Sequence, residues 1–123
     1  MTDTQKEELY AVADFCLIPM GTGESSVAKY IAECQRVLEK LGVHFKNSGY
    51  GTNIEGPWNK VMQAIHDCHA AVHAMGAPRI ATDIRIGTRI DREIEPGTGN
   101  AHKVTRVEQL LAAGEGQEPW QGM

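Results

Sequence analysis

Four side chains able to make strong polar contacts stand at alternate positions of β-prone runs. They are Asp14 in "YAVADFCLIP", Asn53 and Glu55 in "GTNIEG", and Arg85 in "RIATDIRIGTR". Two carboxylates, an amide and a guanidinium suit recognition of a small polar or cationic molecule by directed hydrogen bonds. They equally suit a solvated cross-strand charge cluster of the kind many half-exposed sheets carry. Both readings stand at this level. A third use, with Glu55 or Asp14 as a general base, has no nucleophile and base pair, metal motif or cofactor fingerprint beside it, so the expectation is a protein that is not an enzyme.

Other reactive types are less organised. His66, His69 and His73 in "HDCHAAVH" share one helical stripe, but three ligands on one straight helix cannot converge on one small ion, so no metal site is expected. Cys16, Cys34 and Cys68 are an odd number at wide spacing inside apolar patterns, which predicts buried thiols rather than disulfides. The loop "PMGTGESS" offers backbone N–H groups at a helix start, with Thr22 or Ser25 as capping hydroxyls, but lacks the lysine of a phosphate-binding loop.

A chain of 123 residues, 41% hydrophobic, fits one domain with one modest core. Its formal net charge of -4 and lack of a Lys/Arg cluster exclude the electrostatic footprint of a nucleic-acid binder. No run approaches the roughly 18 to 20 apolar residues of a membrane span, and "MTDTQKEEL" lacks the regions of a secretory signal. A soluble, cytoplasmic protein without membrane contacts is expected.

The elements that must position these groups follow from periodicity. Residues 10–19 alternate as a first strand, and Val27, Tyr30, Ile31, Cys34, Val37, Leu38 and Leu41 mark a helix opened by Ser25 or Ser26 and stopped by Gly42. "VHFKNS" and "GTNIE" form a hairpin. Pro57 opens a second helix, with Trp58 as its core anchor and Val61, Met62, Ile65, Cys68, Val72 and Met75 on its apolar face. "RIATDIRIGTR" is a fourth strand, "EIEPGTGN" a loop, and "AHKVTRVEQLLAA" a last short helix.

The order β-α-β-β-α-β plus one helix predicts an α+β, ferredoxin-like sandwich: a four-stranded antiparallel sheet in spatial order 4-1-3-2 with the main helices on one face. The domain spans residues 10–113, with an N-terminal extension over 1–9 and a flexible tail over 114–123 that holds Trp120. Alternation then places Asp14, Cys16, Ile18, His44, Lys46, Asn53, Glu55, Asp83 and Arg85 on the uncovered face. It sends Thr52 to the helix side with Ile54, unless a glycine bulge re-aims it.

The segments "DFCLIPMGTGESSVAKYIAECQRVLEKLGV" and "GTNIEGPWNKVMQAIHDCHAAVHAMGAPRIATDIRIGTR" closely resemble the family of small thiamine-binding proteins over roughly residues 10 to 112. The combination of "IPMGTG", "GTNIEG" before Pro-Trp, "CHAAVHAMGAPR" and "TDIRIGTR" is what carries the likeness. The stretch "IDREIEPGTGNAHKV" is longer and more glycine-rich than the linker usual in that family. The resemblance implies a ferredoxin-like protomer, self-association to a dimer or tetramer, and non-enzymatic binding of thiamine or its pyrimidine part near a subunit interface, with no further cofactor. For such a ligand the expected binding residues are Glu55, Asn53, Thr52, Gly51, Asp14, Pro19, Thr22 and Arg85, with Glu55 and Asn53 favoured by alternation and Thr52 kept because the resembled motif contains it. The alternative is an oligomeric interaction module whose open face serves assembly alone.

Overall fold

The computed structural model describes residues 8–114. The expected tail beyond that, Trp120 included, and most of the N-terminal extension lie outside the described residues.

Strand β1, Tyr10–Met20, alternates buried and less buried positions along almost its whole length, as its sequence requires. It is central, pairing antiparallel with β3, Gly51–Pro57, on one side and with β4, Arg79–Gly87, on the other. β2, His44–Ser48, completes the sheet through the hairpin to β3, giving the order β2-β3-β1-β4. This is the ferredoxin-like α+β plan expected from the sequence.

Helices α1, Ala28–Leu41, and α2, Trp58–Ala74, cover one face. Tyr30, Cys34 and Leu38 of α1 meet Val61, Ala64, Ile65, Cys68 and Val72 of α2 over Ala11, Ala13, Phe15, Leu17 and Ile54 of the sheet. The small side chains at 11, 13 and 64 let the helices sit close to the strands, which keeps the core dense in a short chain. α1 ends as expected at Gly42, whose left-handed φ of 70° turns its N–H back to the carbonyls of Leu38 and Glu39.

Three local expectations are corrected. β3 runs two residues further, so Pro57 closes the strand and caps α2 from outside rather than opening it. Trp58 starts the helix and is 37% exposed, outside the buried core rather than its anchor. At α1 the cap position is Val27, with Ser26 one residue earlier accepting the Ala28 N–H at 3.3 Å.

The third helix, α3, Gly99–Ala113, begins two residues before the expected start. It crosses to the face that α1 and α2 leave open, where its first turn lies against Val12 and Glu55. A side chain at Gly99 would place its Cβ 2.5 Å from Val12 Cγ2, so only glycine allows this approach.

Candidate functional site

The face opposite α1 and α2 is not a uniform polar surface, and its registers explain why. His44, Glu55 and Val12 form one row across β2, β3 and β1; Lys46, Asn53, Asp14 and Arg85 form the next across all four strands. Cys16 and Asp83 lie one row further along.

The first row is covered. Glu55 was expected to face an open sheet, yet it is 3% exposed. Its Oε1 accepts the Gly99 N–H at 2.7 Å and the Tyr10 hydroxyl at 2.7 Å, and its Oε2 accepts the Asn100 N–H at 3.0 Å. The carboxylate therefore satisfies two of the N–H groups that a helix N-terminus leaves without intrahelical partners. Burial alone would raise its carboxyl; the Asn100 N–H, the Tyr10 hydroxyl, the Gly99 N–H and nearby His44 outweigh that and hold it below the ordinary glutamate value. Tyr10, desolvated and donating to that carboxylate, is pushed up to about 12. Tyr10 also accepts the Gly97 N–H at 2.9 Å, tying the linker before α3 to the same point.

The second row is exposed. Arg85 reaches across to Asp14 with both Nε, at 3.0 Å, and Nη2. The guanidinium holds the Asp14 carboxyl below its usual value, but the arginine side chain is 88% exposed and the pair is a surface one. Beside it lies a shallow depression of about 590 Å³ whose walls include Asp14, Asn53, Gly51, Tyr50, Asp83 and Arg85.

Thr52 turns the other way, as alternation requires, and no bulge re-aims it. It is 4% exposed on the helix side, with its hydroxyl accepting from Gln35 Nε2 of α1 at 3.1 Å. The remaining amide oxygen of Gln35 is buried with no partner among the described residues. Exchanging the amide's oxygen and nitrogen would leave an unpaired N–H group in place of an unpaired oxygen, so one polar end of Gln35 is uncompensated either way.

Thr52 and Gly51 line a second cavity, of about 270 Å³, between α1 and the end of the sheet where β1 continues past the β2-β3 hairpin. Its walls are mostly apolar, with Leu17, Ile18 and Pro19 from β1, Val27 at the cap of α1 and Ile31 and Cys34 within that helix, and with Asn47 and Ser48 at the hairpin end. A side chain at Gly51 would bring its Cβ within 3.0 Å of the Phe15 carbonyl oxygen, so glycine there keeps β3 against β1 at the cavity rim. Gly51, Cys16, Ser48 and Tyr50 border both this cavity and the open-face depression.

The eight expected ligand residues are thus divided. Thr52, Gly51 and Pro19 meet at the apolar cavity; Asp14, Asn53, Gly51 and Arg85 meet on the opposite face; Glu55 is enclosed under α3. Thr22 stands apart in the β1-α1 loop, where its Oγ1 accepts the Glu24 N–H at 3.3 Å. The sequence reading missed Gln35, although its spacing of four from Ile31 and one from Cys34 sets a polar residue on the covered stripe of α1.

The histidines each have a partner of their own. His69 Nε2 meets the Thr82 hydroxyl, His73 Nδ1 donates to the Ala77 carbonyl at 2.8 Å, and His66 pairs with Asp67. No helix among the described residues is long and apolar enough to cross a membrane.

A family model described as thiamine-binding protein matches residues 13–108. A UPF0045 protein of Synechocystis sp. is 51% identical over 100 residues, covering 81% of this chain and 78% of that protein. One from Eremothecium gossypii is 35% identical over 86 residues, with 70% and 82% covered. Among solved structures, a hypothetical protein from Methanocaldococcus jannascii superimposes with a TM-score of 0.64 at 27% identity, covering 86% of this chain and 97% of the other. A Thermotoga maritima protein provisionally assigned to thiamine biosynthesis or salvage shares the fold, with a TM-score of 0.64 at 13% identity over 80% of this chain and 98% of its own.

Proposed function

The chain belongs to the thiamine-binding protein family, and on that premise we propose that it binds thiamine, without chemical conversion, by holding the pyrimidine ring in the cavity between α1 and the sheet. The observation that carries this reading is the Thr52 hydroxyl, which lines a mostly apolar cavity and is paired with Gln35, an amide outside that lining whose oxygen is uncompensated. A buried polar group left without a partner costs about 1–3 kcal/mol. An aminopyrimidine edge, which both donates and accepts, can pair with the Thr52 hydroxyl at the cavity wall.

The ring's two flat faces suit the walls made by Ile18, Pro19 and Ile31. The cationic thiazolium then emerges at the rim shared by Gly51, Ser48 and Tyr50. Asp83, exposed on the far side of that rim and free of ion pairs among the described residues, is the carboxylate best placed to face it. Glu55 has no part in this contact, because both its oxygens are taken. Asn53, Asp14 and Arg85 form the outer, wetter side of the site.

Self-association to a dimer or tetramer belongs to the same reading. It is supported by Ile18 and Ile84 on the sheet and Val104, Val107 and Leu111 on α3, all exposed. Sedimentation at micromolar concentration should show more than one subunit per particle; a monomer would contradict this part.

Calorimetric titration with thiamine, its hydroxymethylpyrimidine fragment and its thiazole fragment tests the binding claim. Saturable binding is expected for the first two and none for the third. Absence of heat and of a thermal shift with millimolar pyrimidine would sink it.

A further inference from the structure

The linker between β4 and α3 encloses a cavity of about 310 Å³ over the far end of the sheet. It shares no lining residue with the cavity beneath Thr52. Its walls carry three fixed cations, Arg89, Arg92 and Lys103, against a single carboxylate, Asp91. Asp91 is forked by Arg89, with Nε to Oδ1 at 2.6 Å, and so neutralises and orients that one arginine.

Arg92 and Lys103 have no ion pair among the described residues; the Arg92 guanidinium donates to the Glu93 carbonyl at 3.4 Å, and its charge also acts on Asp91. Glu93 and Glu95, the other acids of the linker, do not line the cavity. The lining therefore carries a formal excess of two positive charges, three cations less one carboxylate, in a chain whose formal net charge is -4. The charged groups themselves are exposed, but their excess of one sign in a concavity draws anions more than the acidic remainder of the molecule does.

The docking of α3 does not account for this arrangement, since it rests on Glu55, Tyr10 and the Gly99 and Asn100 N–H groups. A guanidinium fork and a lysine point charge are the pair best matched to a tetrahedral dianion. The Thr88 hydroxyl adds a neutral donor, and Val12 with Ile94 gives an apolar floor on which a small organic group can rest. The volume lies at the small end of the range for ligand cavities, about 300–1,000 Å³. We propose that this cavity binds a phosphate group, free or carried on a small phosphate monoester.

The test is titration of the full chain with inorganic phosphate and with glycerol phosphate at low ionic strength, on wild type, Arg92→Ala, Lys103→Ala and the control Lys60→Ala, which alters a cation outside every cavity described above. One saturable site is expected. Arg92→Ala and Lys103→Ala should each weaken it about tenfold, as loss of a charge-assisted hydrogen bond implies. Lys60→Ala should bind as wild type, all four proteins should melt alike without phosphate, and added chloride should weaken binding. Tighter binding of glycerol phosphate assigns the site to an ester; tighter binding of inorganic phosphate assigns it to the free ion. Absence of saturable binding of either probe at about 10 mM, well above a 1 mM dissociation constant, would overturn the proposal. So would equal affinity of wild type and the Arg92→Ala/Lys103→Ala double variant.

Discussion

Replacing Glu55 by glutamine is expected to loosen α3 from the sheet while leaving α1, α2 and the four strands folded. Glutamine has nearly the same shape, but one of its two terminal atoms becomes an NH2 group facing a backbone N–H that needs an acceptor. The helix N-terminus also loses its negative partner. Loss of charge-assisted hydrogen bonds at a site only 3% exposed costs about 2–3 kcal/mol. Amide exchange in α3 should accelerate roughly 30- to 150-fold, with a smaller effect on Cys34 or Cys68 at the centre of the other layer. Unchanged protection of α3 would contradict the latch.

The same group sets an acid limit. Glu55 is held below its ordinary value in the folded chain. Its contribution is therefore complete above the unfolded-state value of about 4.3 and is lost as pH falls through the folded one. α3 should stay docked at neutral pH and loosen below about pH 4, and E55Q should remove most of that dependence.

The second large effect concerns Thr52 and Gln35. Thr52→Val keeps the volume but strips the partner from an amide that already lacks one. It should cost about 1–2 kcal/mol of stability and weaken pyrimidine binding about tenfold to a hundredfold. The double variant Thr52→Val/Gln35→Leu should separate the two quantities. With both polar partners replaced by apolar groups, no buried amide is left unpaired, and stability should return to within about 1 kcal/mol of wild type or exceed it. Binding should not return. Recovery of stability together with binding would mean that the pair serves only packing.

Much of this was legible from local pattern. β1 alternates because period-two sequence is all a central strand needs, and Thr52 falls on the helix side by the same rule. Glu55 reads as open in the sequence because the residues that cover it stand 44 and 45 positions away in a glycine-rich stretch that resembles a loop. Gly99 is glycine for its closeness to Val12 and Glu55, a reason that no local pattern expresses. Trp58 shares the helical stripe of Val61 and Ile65, but as the first residue of α2 it stands at the end of that stripe and is left 37% exposed, which periodicity does not express. The division of the expected ligand residues between two faces is likewise a matter of pleat and register, and it moves the binding claim from the charged face to the apolar cavity.

That claim is tested most directly by following backbone and methyl resonances while the hydroxymethylpyrimidine fragment is added. The account requires the largest shifts at Val27, Ile31, Gly51 and Thr52, which line the cavity between α1 and the sheet. Shifts confined to Asp14, Asn53, Asp83 and Arg85 would place the ligand on the opposite face and contradict it.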